Sequence, residues 1–337
     1  MSILRPILDG IYHVIGNYGW SIAVFTIIIR AILLPLDVKN RKGMLQMQKM
    51  QPKIQDLQKK YANDQQKLQQ KQMELFKKEH YSPFSGCLPM LIQLPIFWIM
   101  FSAMRSLANE QMIQQIISYA LGESPDLAGW LWVKNVWASD SPFSAIVPTV
   151  RDLTAIPWET WKTAIANLSP EIVQRLAALE NFTDGTLVIT NAESAQALVN
   201  ALIEAAKTQP AYQAALATSM DNLNILFVIN VSVYQTFNGL LILPVLAAVT
   251  QVLMNKFTNP TQQPAASDNP QAQQSQSMNN MMKYFFPILS VYFCLISSAS
   301  FAIYWVTSNI VAGVSNYGIN KYLDSKDKAK TVQGEVQ

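Results

Sequence analysis

The chain has 337 residues, of which half are apolar and only 14% charged, against about 25% charged in an average soluble protein. Charge has been cleared from long stretches, which argues against a soluble fold, and a net charge of +3 is too small to point to a nucleic-acid binder. Cys87 and Cys294 both fall in apolar surroundings, which argues against a disulfide framework.

Residues 1–18 read as an amphipathic helix lying on the outer leaflet. Ile3, Leu4, Ile7, Leu8, Ile11, Tyr12 and Ile15 recur at helical spacing, while Arg5, Asp9 and His13 take the other face. Asp9 stands where a signal peptide has its basic region, and no small-residue cleavage site follows. A first span is expected over 19–36, because crossing the hydrocarbon core takes roughly 20 apolar residues; it contains Arg30. The next segment, 37–82, is basic, with eleven Lys or Arg against five Asp or Glu between Asp37 and His80. Met47, Met50, Ile54, Leu57 and Tyr61 make one seam of a helical hairpin. Ala62-Asn63-Asp64 turns it, and Leu68 and Leu75 face back from the second arm.

A second span is expected over 83–105, followed by a long segment over 106–237. Between Ala108 and Gln235 this segment holds five basic residues against twelve acidic ones. It reads as mostly helical, with an N-cap at Ser169, a turn at Asp184-Gly185 and an Ala-rich helix from about Asn191 to Ala206. Its tryptophans, Trp130, Trp132, Trp137, Trp158 and Trp161, suit either the headgroup layer or a small core. Residues 223–237 are apolar but short and carry Asn224, Asn230 and Gln235, so they read as an interfacial or outer segment rather than a sixth span. A third span follows over 238–256, then a Gln/Pro/Ser/Ala-rich loop over 257–280. Two last spans, 281–297 and 301–320, are divided at Ser297-Ser298-Ala299-Ser300, and the tail 321–337 is basic. By the positive-inside rule the hairpin and tail are cytoplasmic and the N-terminus and the 106–237 segment are outside, which only an odd number of spans allows. The expected fold is an all-α integral membrane protein with five transmembrane helices.

Arg30 is the one ionisable residue well inside any expected span, roughly 9 Å from the cytoplasmic end of its helix. An arginine at the centre of a span costs about 2.5 to 3.5 kcal/mol on insertion scales, so something must solvate it. Snorkelling to the headgroups is one solution; a hydrated recess is the other, and no acidic residue in another span is available to neutralise the charge. Gln93, Gln251, Asn309 and Asn316 could hydrate such a recess. Trp305, Asn309, Ala312 and Asn316 share one helical face.

The Arg-bearing run NYGWSIAVFTIIIRAILLPL, the basic hairpin KMQPKIQDLQKKYANDQQKLQQKQMELFKKE, the run GCLPMLIQLPIFW and the late FAIYWVTSNI together resemble the YidC/Oxa/Alb family of membrane protein insertases, in order and spacing, over roughly two-thirds of the chain. The resemblance implies five helices enclosing a hydrophilic groove that is open to the cytoplasm and to lipid and closed to the outside. It implies that Arg30 draws in acidic or hydrophilic parts of a client, whose apolar helix then leaves along the third and fifth spans. The implied groove residues are Arg30, Gln93, Gln251, Trp305, Asn309 and Asn316. Implied partners are newly made membrane proteins and the bilayer, with the ribosome, signal recognition particle and Sec translocon as further candidates, and no specific nucleic-acid sequence. The segment 106–237 is longer than that family leads one to expect.

An enzyme lacks its parts here. There is no G-x-x-x-x-G-K-[ST], H-E-x-x-H or G-x-S-x-G, and no cofactor or metal is expected. A transporter or channel for an anionic solute is the stronger rival, but such proteins usually carry internal repeats with broken helices, and none is seen.

Overall fold

The computed structural model of the protein describes residues 4–81, 88–183, 185–225, 229–258 and 281–334. The expected start of the second span at 83–87, the turn residue Asp184 and the loop from 259 to 280 lie outside the described residues. The chain divides into two units: Met1–Phe25, Phe101–Leu246 and Val291–Trp305 form one, and Thr26–Met100, Ala247–Ser290 and Val306–Gln337 the other.

In the first unit, α1 (Leu4–Ile15) buries Leu8 and leads through Gly16 and Asn17 into α2 (Tyr18–Lys60). Gly16 has φ +70°, a conformation in which glycine carries no steric penalty. Arg5 pairs with Glu110 at 2.5 Å on α4 (Leu88–Ala120). Helix α4 does not stop where hydropathy falls, at Arg105; it runs on to Ala120 because Ile113, Ile116 and Ile117 find a second core in which to bury.

That core belongs to the long segment 106–237. Helices α5 (Val150–Thr154), α6 (Trp158–Ala166), α7 (Pro170–Ala177), α8 (Ala192–Lys207) and α9 (Pro210–Leu216) begin at identifiable signals. Thr149 and Asn191 form capping boxes with Asp152 and Ser194, and Ser169 accepts from the Ile172 N–H. Helix α8 is the centre of the packing, burying Leu198, Val199, Leu202, Ile203 and Ala206. Trp161 and Tyr212 are buried beside it. Their polar atoms are satisfied, the indole N–H donating to the Leu153 carbonyl at 3.3 Å and the phenol to the Pro148 carbonyl at 2.8 Å.

Residues 106–237 are not wholly helical. Strands β1 (Thr218–Ile225) and β2 (Ile229–Tyr234) form an antiparallel pair, with Leu223 opposite Val231 and Ile225 opposite Ile229. Ile229, Val231 and Val233 alternate at period two and are β-branched, the pattern of a strand. The whole insertion leaves and returns at one place. Ala145 pairs with Phe237, the Asn238 N–H donates to the Ser144 carbonyl at 2.9 Å, and the Asn238 side chain bonds the backbone of Asn135 and Ser139.

The loop just before the insertion caps two helices, α10 (Ile242–Thr258) and α12 (Ala299–Gly334). Asp140, fully buried, accepts from the backbone N–H groups of Leu240 and Leu243 at the start of α10 and from the Trp132 indole. The Val136 and Ala138 carbonyls accept from Ser300 and Ala299 at the start of α12. Orphan donors at both helix ends are thereby satisfied.

In the second unit α2 continues through Pro35 and Pro52, so the first span and the first hairpin arm are one helix of 43 residues. Asp64 caps the return arm α3 (Gln65–Lys78), which buries Leu68, and Lys53 pairs with Glu79 across the hairpin at 2.6 Å. A π-helical turn, Met281–Phe285, opens α11 (Phe286–Ile296), which Ser297 and Ser298 separate from α12. Helix α12 continues well past residue 320, the expected end of the last span. Among the described residues α2 is the helix long and apolar enough to cross a membrane; the apolar helices at 242–256 and 283–296 are shorter.

Helix directions follow from paired contacts. Arg30 meets Ser308 and Arg41 meets Asn320, so α2 and α12 run parallel. Asn309 meets Thr250, and a β-carbon on Gly313 would sit 3.9 Å from the Met254 Cα, so α10 and α12 also run parallel.

Candidate functional site

The site grows from one half-buried cation on α2. The Arg30 Nε and Nη2 both donate to the Ser308 hydroxyl on α12, at 2.8 and 2.5 Å. Ser308 is buried, so a single hydroxyl oxygen holds one edge of the guanidinium. Among the described residues no carboxylate lies within ion-pair distance of it. Asp37, two turns further along the same face of α2, is the acid that feels the charge. Burial pushes its carboxyl above the usual range, and the Arg30 cation partly pulls it back.

Next to Ser308, Asn309 donates to the Thr250 hydroxyl at 3.3 Å and thereby joins α12 to α10. Gln251 follows Thr250, is buried, and makes a long 3.5 Å contact with Asn255 one turn on. Asn316 is half-buried on α12. Arg30, Gln251, Asn309 and Asn316 therefore all belong to the second unit. Trp305 belongs to the first, where its ring lies 5.7 Å from that of Phe301. Gln93 lies on α4, and its side chain is outside the described residues.

Two members of the site were not singled out from sequence, Ser308 and Thr250. Small hydroxyls are common in membrane helices, and only the facing arginine and asparagine give these two a role. Arg41 and Asn320 were also missed. Arg41 is 2% exposed, lies eleven residues after Arg30 on the same face, and donates from Nε to the side-chain amide oxygen Oδ1 of Asn320 at 2.5 Å. The available signal was the face that it shares with Arg30. The open depression between the hairpin arms, lined by Lys53, Leu57, Lys60, Lys71, Leu75 and Lys78, is separate from these residues.

Among the described residues the arrangement holds no cluster of metal-ligating side chains. It can do one thing chemically, which is to present a fixed positive charge amid neutral hydrogen-bonding groups.

The chain is similar to known membrane proteins. The profile described as "60Kd inner membrane protein" matches residues 10–327. A membrane protein insertase YidC of Fusobacterium nucleatum is 48% identical over 92 residues, 27% of this chain and 45% of that protein. One of Caldanaerobacter subterraneus subsp. tengcongensis is 43% identical over 103 residues, 31% of this chain and 50% of that protein. One of Stenotrophomonas maltophilia is 33% identical over 159 residues, 46% of this chain and 24% of that protein. The chain thus covers half or less of the length of these relatives. Since the profile match spans nearly the whole chain, the protein belongs to the 60Kd inner membrane protein family of bacterial inner-membrane proteins.

Proposed function

We propose that this chain inserts other proteins into the bilayer, without nucleotide hydrolysis, by receiving their hydrophilic portions at Arg30. The observation that carries this reading is the Arg30–Ser308 fork: an intramembrane cation held by a neutral hydroxyl and left without a carboxylate partner among the described residues. Interactions of such a charge are far less screened than in water, so it attracts anionic groups entering from the cytoplasm. Gln251, Asn309, Asn316 and Gln93 supply hydrogen bonds that lower the cost of bringing a polar segment into the membrane. The client's apolar helix then partitions to lipid, a transfer favoured by about 25 cal/mol per Å² of buried apolar surface.

The same reading takes the chain as five spans around this groove, N-terminus outside and C-terminus inside. The parallel course of α2, α10 and α12 supports it, because alternate spans of a serpentine chain share one direction. The names of the relatives, membrane protein insertase YidC, support the activity.

Photo-crosslinking from positions 251 and 309 to a ribosome-stalled client tests the route. Both positions capture the client, and position 288, exposed on α11, does not. Equal capture from all three positions would remove the groove from the pathway.

A further inference from the structure

We propose that the turn at Trp130–Val133 is a lipid anchor, which sets Leu131 and the neighbouring Trp20 into the headgroup layer of the outer leaflet beside the head of α2. The backbone N–H of Trp130 donates to the Val133 carbonyl at 2.8 Å and that of Val133 to the Trp130 carbonyl at 2.9 Å, closing a two-residue turn. Such turns hold a residue at positive φ and favour glycine or asparagine there. Here the position is Leu131, at φ +51° and 64% exposed. A bulky apolar residue in the left-handed region, pointing away from its own protein, is the kind of backbone strain that marks a working surface.

What covers that surface follows from where the turn is seated. A β-carbon on Gly19 would lie 2.2 Å from the Trp130 ring, so the indole rests directly on the first turn of α2. The Asn17 side chain donates to the Gly129 carbonyl at 2.9 Å and fastens the same corner. Trp20, half exposed, meets Trp130 edge-on with ring centres 5.4 Å apart, and Trp132 lies 5.8 Å beyond. The apolar run of α2, the helix long enough to cross the membrane, begins at Trp20. The turn therefore continues the membrane-facing surface of α2 at the level where hydrocarbon gives way to headgroups, the layer that tryptophan prefers.

The test places a nitroxide at Leu131→Cys in the full chain, with Cys87→Ser and Cys294→Ser, reconstituted in vesicles of phosphatidylethanolamine and phosphatidylglycerol. Val188→Cys, 61% exposed in the outer segment, is the aqueous reference. The label at 131 is relaxed several-fold more by oxygen than by a water-soluble nickel chelate, and the label at 188 shows the reverse. A label at 131 that behaves like the one at 188 overturns the proposal. So does a label shielded from both reagents, because protein rather than lipid then covers the turn.

Discussion

At the scale of single residues, the centre of the molecule is one hydroxyl shared by two N–H groups of an arginine. A hydrogen bond to a charged group contributes about 1.5–3 kcal/mol, and losing one also frees the guanidinium to reorient. Ser308→Ala is therefore expected to lower insertion of clients with acidic tails, less severely than loss of the cation itself. The double variant with Arg30→Ala should be no worse than Arg30→Ala alone; additive losses in a reconstituted assay would show that Ser308 acts elsewhere. Glu79 gives a second residue-scale outcome. Its hydrogen bond to Lys53 holds the carboxyl below its ordinary 4.5. A lowered folded value means that the contribution is complete above that ordinary value and disappears as the pH falls through the lowered one. Protection factors of the α3 amides, taken relative to the intrinsic exchange rate at each pH, should decrease as the pH falls below 4.5, and Glu79→Gln should remove that dependence.

At the scale of elements, the apolar runs, the Ser169 cap, the Ala-rich helix that follows Asn191 and the break at Ser297-Ser298 could be read directly, because each rests on local composition or one short hydrogen bond. Elements whose ends depend on a distant partner could not. Helix α4 runs to Ala120 only because the inserted segment supplies a core for Ile113, Ile116 and Ile117. The β1–β2 pair was hidden by Asn224 and Asn230, because asparagine is depleted in strands. Arg41 lay in a run of surface charges, and only its contact with Asn320 marks it as buried. Asp140 is the strongest element-scale determinant, since one carboxylate joins the Trp132 indole to two backbone donors 100 and 103 residues further along the chain. Asp140→Ala removes all three bonds and leaves the buried Leu243 N–H unpaired, which alone costs about 1–3 kcal/mol. Thermal unfolding in detergent should show a marked drop in midpoint, and an unchanged midpoint would contradict this role.

At the scale of the whole molecule, the insertion is tied to its stem by the Ala145–Phe237 bridge, so its two ends can be joined by a short turn. It is nevertheless not freely removable, because the outer end of α4 lies within its core. Excision of 146–236 alone should yield protein that aggregates through the exposed isoleucines. Excision together with Ile113→Ser, Ile116→Ser and Ile117→Ser should restore a monodisperse species in gel filtration. If simple excision were well behaved, the core would not depend on α4.

The charge at position 30 is the feature on which the proposed mechanism depends, and reconstituted insertion of matched clients bearing acidic or neutral tails measures its role directly. Arg30→Ala should slow the acidic-tail client by about tenfold or more, the equivalent of about 1.4 kcal/mol, with a much smaller effect on the neutral one. Arg30→Lys should recover part of the loss. Normal insertion of both clients by Arg30→Ala would contradict the account.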